Sequence, residues 1–512
     1  MALCSRRMKY IRLCSHINNF IKFSSTLGTA KKGLVLGAYS NENNGVSLTP
    51  VAAKYNELSG GKLLEQIKLA GNEVKAGKCF VFWGLDKEYH SVAIAGLGKK
   101  SVTHNEDIEL LCEDNEAVRI AASAGCRALD SVGIKNIDVE DFCDAESAAE
   151  GSNLGIWKFQ EYKTKKESLP QVSLFKLSEN ASDDWQKGVI KAEAQNLARR
   201  LADTPANLLT PTIFSEEVTN MLIPLGVDVK IYDKEWATNQ KMFSFLGVAK
   251  GSIEPPKFLE ITYNKGNNSD APYLLVGKGV TFDAGGISLK PAQGMDEMRA
   301  DMGGAAAVIG TIFGLAKLCV PANVKILIPL VENLPSGSAI KPGDVIRARN
   351  GKTICVDNTD AEGRLILADA LCYSAEFKPK WVLDIATLTG AMRVALGNAA
   401  TGVFTNSNSL YTNLQNAGSL TGDRVWRMPL WKHFTKQVAE NTAYDLNNIG
   451  KGKGGGSCTA AAFLKEFVPE KTNWLHLDIA GVMGPQDDSP YLHKGMTGRP
   501  TRTLIEFIRA QV

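Results

Sequence analysis

The sequence predicts an α/β protein: a smaller N-terminal α/β domain joined by a long helix to a larger C-terminal α/β domain with a mixed central sheet sandwiched by helices. Three observations carry this expectation. Apolar runs rich in Val, Ile and Leu, such as PYLLVGKG, NVKILIPLV, KWVLDIA and WLHLDIAG, read as central strands covered on both faces. Helical patterns at GGAAAVIGTIFGLAKL and EGRLILADALCYSAEF lie between those strands. WQKGVIKAEAQNLARRLADTP is one long helical pattern, stopped by Pro205.

Taken in order, the first core element begins where the pattern changes near Lys32. GLVLGAY (Gly33–Tyr39) reads as a buried strand, followed by strands at CFVFWGL and SVAIAGLG and a helix at NEAVRIAASAGCRAL (Asn115–Leu129). The GLG of Gly96–Gly98 is not a dinucleotide fingerprint, because the third glycine is absent and Lys99 and Lys100 follow. A polar stretch from about Glu161 to Asp184 precedes the long helix. The expected organisation is therefore a targeting segment at 1–31, an N-terminal domain at 32–180, a linking helix at 181–205 and a second domain at 206–512. GKGKGGGS (Gly450–Ser457) reads as a short mobile loop.

Composition excludes several classes of function. The chain has 512 residues, 44% hydrophobic and 22% charged, and no apolar stretch approaches the roughly 18 residues of a membrane span. No membrane partner is expected. The net charge is +3, yet residues 1–41 hold seven positive charges (Arg6, Arg7, Lys9, Arg12, Lys22, Lys31 and Lys32) and no acid. The remainder is mildly acidic, without the basic stripe of a nucleic-acid partner. The acid-free, Arg- and Ser-containing start suits import into the mitochondrial matrix, with the cytoplasm as the alternative. Ten cysteines at irregular spacings, with no CxxC, are expected to be reduced, buried thiols.

Active-site groups of open α/β sheets gather where strands end. Three segments put charge there. VGKGVTFDAGG carries Lys278 and Asp283, KPAQGMDEMRADMGGAA carries Lys290 and Asp301, and NTDAEGRL carries Asp360, Glu362 and Arg364 at alternate positions. On an extended backbone those three alternate side chains would point one way. The four carboxylates could together hold two divalent cations. Only six histidines occur and none lies in these segments, so a His-based triad lacks its base there, and no HExxH appears. Plainer readings stand beside these: Asp360 as the N-cap of a helix starting near Glu362, and His476 as a satisfied core residue. Gly277–Gly279 lacks the frame of a P-loop.

NTDAEGRL (Asn358–Leu365), together with VGKGVTFDAGG, MRADMGGAA, ATLTGA and DIAGVM, resembles the signature segments of the leucyl (cytosol) aminopeptidase family, in the same order and from about Lys32 to the C-terminus. The resemblance makes the second domain the catalytic one. It implies a metal-dependent aminopeptidase that releases N-terminal residues, preferably Leu or Met, from short peptides through a metal-bridged hydroxide. Lys278, Asp283, Asp301 and Glu362 would ligate one cation; Asp283, Asp360 and Glu362 would ligate the other. Lys290 and Arg364 match the two catalytic residues that do not bind metal. A lysine ligand must be neutral, so Lys278 is expected to have a depressed pKa. The resemblance further implies two cations per subunit (Zn²⁺ or Mn²⁺, with Mg²⁺ also open), a bicarbonate on Arg364 as proton acceptor, and a homohexamer. Met298, Asn358, Thr387, Leu388, Gly390, Ala480 and Met483 would line the substrate pocket. Two other classes remain for comparison: a catalytically silent structural paralogue, which loss of a ligand would favour, and a two-metal phosphoesterase, which has no need of a lysine ligand.

Overall fold

Two sheets organise the chain, and the alternation of apolar segments explains both. This computed structural model describes residues 31–41, 45–71, 73–100, 108–484, 489–492 and 494–512. The expected targeting segment falls outside the described residues, apart from Lys31. In the first sheet, β1 (Lys32–Ser40) contains the predicted Gly33–Tyr39 run and sits centrally, with β2 (Val46–Leu48) against its end. The strand order is β3 (Cys79–Trp83), β4 (Ser91–Lys99), β1, β5 (Asn136–Val139), β6 (Gln171–Leu174). β4, β1, β5 and β6 are parallel and β3 is antiparallel. The predicted helix at 115–129 spans Glu113–Ser131 and packs its buried alanines and Leu129 on this sheet.

The linking helix runs Ser182–Asp203 and ends just before Pro205, whose ring cannot continue it. Glycines bring it close to both neighbours. A Cβ on Gly188 would lie 2.2 Å from the Glu146 carbonyl oxygen, and one on Gly310 would lie 2.5 Å from the Ala194 oxygen. Buried ion pairs join the halves of the protein here. Glu150 accepts from Arg119 Nε at 2.7 Å and pairs with Arg502, while Lys191 Nζ lies 2.6 Å from Glu506. Burial works against the Glu150 charge, but Arg502, Arg119 and Lys191 outweigh it and hold its pKa at about 2.

Among the described residues the second sheet has nine strands. Its path is β16 (Val425–Arg427), β15 (Thr401–Thr405), β18 (Trp474–Asp478), β14 (Trp381–Ala386), β9 (Tyr273–Gly277), β11 (Asn323–Asn333), β8 (Lys257–Asn264), β7 (Asp228–Tyr232), and β10 (Gly279–Asp283) also pairs with β11. β18, β14, β9 and β11 are parallel, so their C-terminal ends share one edge. Antiparallel flanking strands make the sheet mixed. Both faces are covered, as the unbroken apolar runs predict. Leu275 and Leu383 face the core under the helices Gly303–Lys317 and Thr501–Arg509. Leu274 and Val382 face the core under the helix Gly363–Tyr373. Each such side chain taken out of water contributes about 1.5–3 kcal/mol. A small third sheet joins β12 (Val345–Arg347), β13 (Thr353–Cys355) and β17 (Leu446–Asn447). Among the described residues no helix is long and apolar enough to cross a membrane.

Three expectations need correction. Cys126, Cys355, Cys372 and Cys458 are buried thiols, but Cys143 and Cys319 are exposed. Both occupy turns with positive φ, 67° and 52°, outside any strand or helix. The glycine loop ends earlier than expected, since Gly456 and Ser457 already open the helix Gly456–Lys465. The segment from Asp360 to Arg364 is not extended: it is a turn that runs into the helix Gly363–Tyr373.

Candidate metal and peptide site

The shared C-terminal edge of the parallel strands carries a cavity of about 430 Å³. Lys278 follows β9, Asp283 ends β10, and Asp301 sits at the end of the short 3-10 helix Met295–Ala300. Asp360, Glu362 and Arg364 reach the same cavity by the turn into the helix, so chain reversal brings them together instead of strand alternation. Glu362 occupies the N-cap position without a capping hydrogen bond, which removes the N-cap reading of Asp360. Glycine makes the approach possible. A Cβ on Gly363 would sit 2.6 Å from Lys278 Cε, and one on Gly285, at φ 90°, would sit 2.4 Å from the Ser288 oxygen.

Each lysine stands between two carboxylates. Lys278 Nζ is 2.6 Å from Asp301 Oδ2, 2.8 Å from Glu362 Oε1 and 3.0 Å from the Thr387 carbonyl oxygen. Lys290 Nζ is 2.8 Å from Asp283 Oδ2 and also pairs with Asp360. Asp283, Asp301 and Glu362 each offer an oxygen within 4.8 Å of the others; Asp360 stands outside that group, on Lys290. Thr387 Oγ1 donates to Asp301 Oδ1 at 2.8 Å and the Gly285 amide donates to Asp283 Oδ1 at 2.9 Å.

This crowding of charge shifts the titrations. Burial raises Asp301 well above the usual carboxylate range, and Glu362 and Asp283 add to it against the pull of Lys278. Burial and Glu362 likewise raise Asp283. For Lys278 burial favours the neutral amine, but Asp301, Glu362 and Asp283 outweigh it, so the pKa lies above its ordinary value. The depressed value expected of a lysine ligand refers to the amine beside bound cations, whose charge would oppose that of these carboxylates. Burial brings the Arg364 guanidinium down to about 10. Its Nη1 donates to the Asn448 carbonyl oxygen at 2.6 Å, while Nε is buried without a hydrogen-bond partner among the described residues.

All fourteen residues singled out in the sequence line this one cavity: Lys278, Asp283, Lys290, Met298, Asp301, Asn358, Asp360, Glu362, Arg364, Thr387, Leu388, Gly390, Ala480 and Met483. Sequence reasoning missed Glu297, Arg393, Ile449 and Met496 on its walls. It also missed two supporting residues at strand ends. Asn333 closes β11 and donates to Asp283, and Asp478 closes β18 and accepts from Thr389 Oγ1 at 2.6 Å. The same strand-end rule that found Asp283 points to Asp478, whereas only the fold sets Asn333 against Asp283.

Two family models match this architecture. The N-terminal domain of the cytosol aminopeptidase family matches residues 35–166, and that family's catalytic domain matches residues 196–505. The chain belongs to the cytosol aminopeptidase family. It is thus an aminopeptidase, a peptidase hydrolase of a metal-dependent family. The cytosol aminopeptidase of Xenopus tropicalis is 54% identical over 94% of this chain and 92% of its own length. That of Homo sapiens is 52% identical over 95% and 94%. Among solved structures, the bottromycin maturation enzyme BotP in complex with Mn superposes with a TM-score of 0.80 at 30% identity, covering 94% of this chain and 100% of that one.

Proposed function

We propose that this aminopeptidase removes N-terminal residues, Leu and Met foremost, from short peptides at a dinuclear metal centre. One observation carries the reading: five candidate ligands, Lys290 and Arg364 converge in a single cavity at the strand ends. The donor set fits hard or borderline divalent cations such as Mn²⁺, Zn²⁺ or Mg²⁺, because it is rich in carboxylate oxygen. Glu362 Oε2 is buried with no hydrogen-bond partner among the described residues, as a ligand oxygen would be. Lys278, Asp283, Asp301 and Glu362 would hold one cation, and Asp283, Asp360 and Glu362 the other. Cations held there supply Lewis acidity, which acidifies water, polarises a carbonyl and binds a free α-amine.

The chain's own groups do the rest. Burial favours a neutral Lys290, but Asp283 and Glu362 outweigh it and keep the ammonium charged at neutral pH. It is suited to stabilise the oxyanion that develops at the scissile carbonyl. Arg364 stays cationic at neutral pH, and its unpartnered Nε could hold a bicarbonate that accepts the proton. Met298, Thr387, Gly390, Ala480 and Met483 are small or apolar and would receive the first side chain, with Asn358 and Leu388 beside the next residue. None of the seven ligand and catalytic positions is lost, which leaves no support for a silent paralogue.

The test is hydrolysis of leucine amide before and after chelation, with elemental analysis. Activity should vanish with the metal and return with Mn²⁺ or Zn²⁺; full turnover by metal-free protein would end this reading. The family likeness supports a homohexamer, checked by light scattering. The basic, acid-free first 31 residues support mitochondrial import, with the cytoplasm as the alternative that cell fractionation would reveal.

A further inference from the structure

Two residues on the cavity wall that the roles above do not use carry opposite charges. Glu297 belongs to the 3-10 helix Met295–Ala300 and Arg393 to the helix Gly390–Leu396. Arg393 Nη1 stands 3.6 Å from Glu297 Oε2, so the pair links these two elements. At that length the charges attract without a hydrogen bond to lock them. The Arg393 and Glu297 side chains are 49% and 31% exposed, and among the described residues neither has another ion-pair partner.

Their neighbours place the pair at the pocket proposed for the first side chain. Glu297 directly precedes Met298, and Arg393 lies about one helical turn beyond Gly390. A Cβ on Gly481 would lie 2.0 Å from the Gly397 carbonyl oxygen and 3.6 Å from Arg393 Cα, so the backbone beside Ala480 runs against the turn that carries Arg393. Met298, Gly390 and Ala480 thus flank the pair. Other contacts fix both supporting elements. Arg299 donates through Nε to the Asp203 carbonyl oxygen and through Nη2 to Asp203 Oδ1, each at 3.2 Å. Thr389 accepts from the Met392 amide at 3.1 Å and donates to Asp478 at 2.6 Å.

A half-exposed ion pair adds little to stability, so folding does not account for these charges beside a small, apolar pocket. Their effect on an incoming side chain does. A charged side chain leaves water on entry and meets Glu297 and Arg393 together, whose opposite charges largely cancel, so its lost hydration is not replaced. An uncharged side chain has no such hydration to lose. We propose that Glu297 and Arg393 are specificity-determining residues: paired, they keep this end of the pocket electrically neutral and favour uncharged first side chains, whereas either charge left alone recruits a side chain of opposite sign. The proposal rests on the placing of the first side chain among Met298, Gly390 and Ala480.

The experiment measures kcat/KM of the metal-loaded protein for leucine amide, lysine amide and the α-amide of glutamic acid, with leucine amide as the reference. Glu297→Gln should raise the glutamic-to-leucine ratio about 5-fold and lower the lysine-to-leucine ratio by a similar factor, the scale of one partly exposed charge pair. Arg393→Gln should move both ratios the opposite way. Ionic strength of about 1 M should shrink the shifts. The reversed pair, Glu297→Lys with Arg393→Glu, restores neutrality and should return both ratios towards wild type, which mere damage to the pocket would not do. Shifts of the same sign in the two single variants, or ratios that do not move, would overturn the proposal; if one single variant does not fold, the sign of the shift in the other decides. A wild type inactive on leucine amide would overturn the proposed function and this inference with it; an active wild type whose variants ignore substrate charge overturns this inference alone.

Discussion

Asn333 Nδ2 donates to Asp283 Oδ1 at 2.8 Å and to the Thr359 carbonyl oxygen at 3.0 Å. One buried amide at the end of β11 thus joins the carboxylate that closes β10 to the turn that carries Asp360 and Glu362. Truncation at Asn333→Ala frees both partners. Metal affinity should fall about 10–100-fold, as it does when a partner that orients a ligand is removed. Titration of the apo-protein with Mn²⁺, read by calorimetry, checks this; wild-type affinity would show that Asp283 is held by its other contacts.

Lys290 should separate cleanly from the carboxylates. Asp283→Asn and Glu362→Gln each remove a group expected to bridge both cations, so metal content and turnover should fall together. Lys290→Ala should keep its metal and lose about 10²–10³-fold in kcat, the effect of removing one oxyanion donor. Elemental analysis beside steady-state kinetics distinguishes the cases. Normal rates in Lys290→Ala would remove it from the chemistry.

How far the sequence foretells this site depends on which force decides each position. Apolar runs such as WVLDIA and WLHLDIAG report burial on both faces, and burial is local enough to read. Asp283 and Asp301 stand out because carboxylates at strand and turn ends among glycines are costly unless used. The path from Asp360 to Arg364 is different. Its turn is dictated by contact with Lys278, which leaves no room for a Cβ at Gly363, and a tertiary contact leaves no period in the sequence. Asn333 reads as the ordinary polar end of NVKILIPLVEN, and only the fold sets it against Asp283. His476 is legible as core, but its pairing with Asp384 across the neighbouring strand is not. Cys143 and Cys319 defeat the expectation of burial because positive-φ turns lift them out of the apolar segments around them.

A pH effect is expected far from the cavity. Glu140 is fully buried and accepts from the Gly37 amide at 2.7 Å and from Thr49 Oγ1 at 2.7 and 2.9 Å. Burial raises its pKa from 4.5 to about 8, despite those hydrogen bonds. Below pH 4.5 both folded and unfolded forms carry the proton, and the group is neutral in both. Between there and about 8 the unfolded chain binds fewer protons, so stability falls as pH rises, by up to about 1.4 kcal/mol per pH unit. A glutamine can accept from Gly37 and donate to Thr49, and it does not titrate. Glu140→Gln should therefore melt progressively higher than wild type as the buffer moves from acid to neutral and mildly alkaline pH. A gap in melting temperature that stays constant with pH would refute the assignment.

Gly390 offers the sharpest test of substrate preference. It opens the helix Gly390–Leu396, where Thr389 caps by accepting from the Met392 amide at 3.1 Å. It lines the cavity, and a Cβ built there meets nothing within 4 Å. A larger residue is therefore tolerated by the fold, and replacing glycine in a helix reduces the conformational freedom of the unfolded chain. The added methyl groups of Gly390→Val would instead project into the space proposed for the first side chain. Thermal stability should hold or rise while kcat/KM for leucine amide falls relative to alanine amide by about 10-fold or more, the scale of discrimination set by one or two methyl groups in an apolar pocket. The ratio of the two substrates is the decisive quantity, because a general loss of activity would lower both. An unchanged ratio in a well-folded variant would mean that the first side chain binds elsewhere in the cavity.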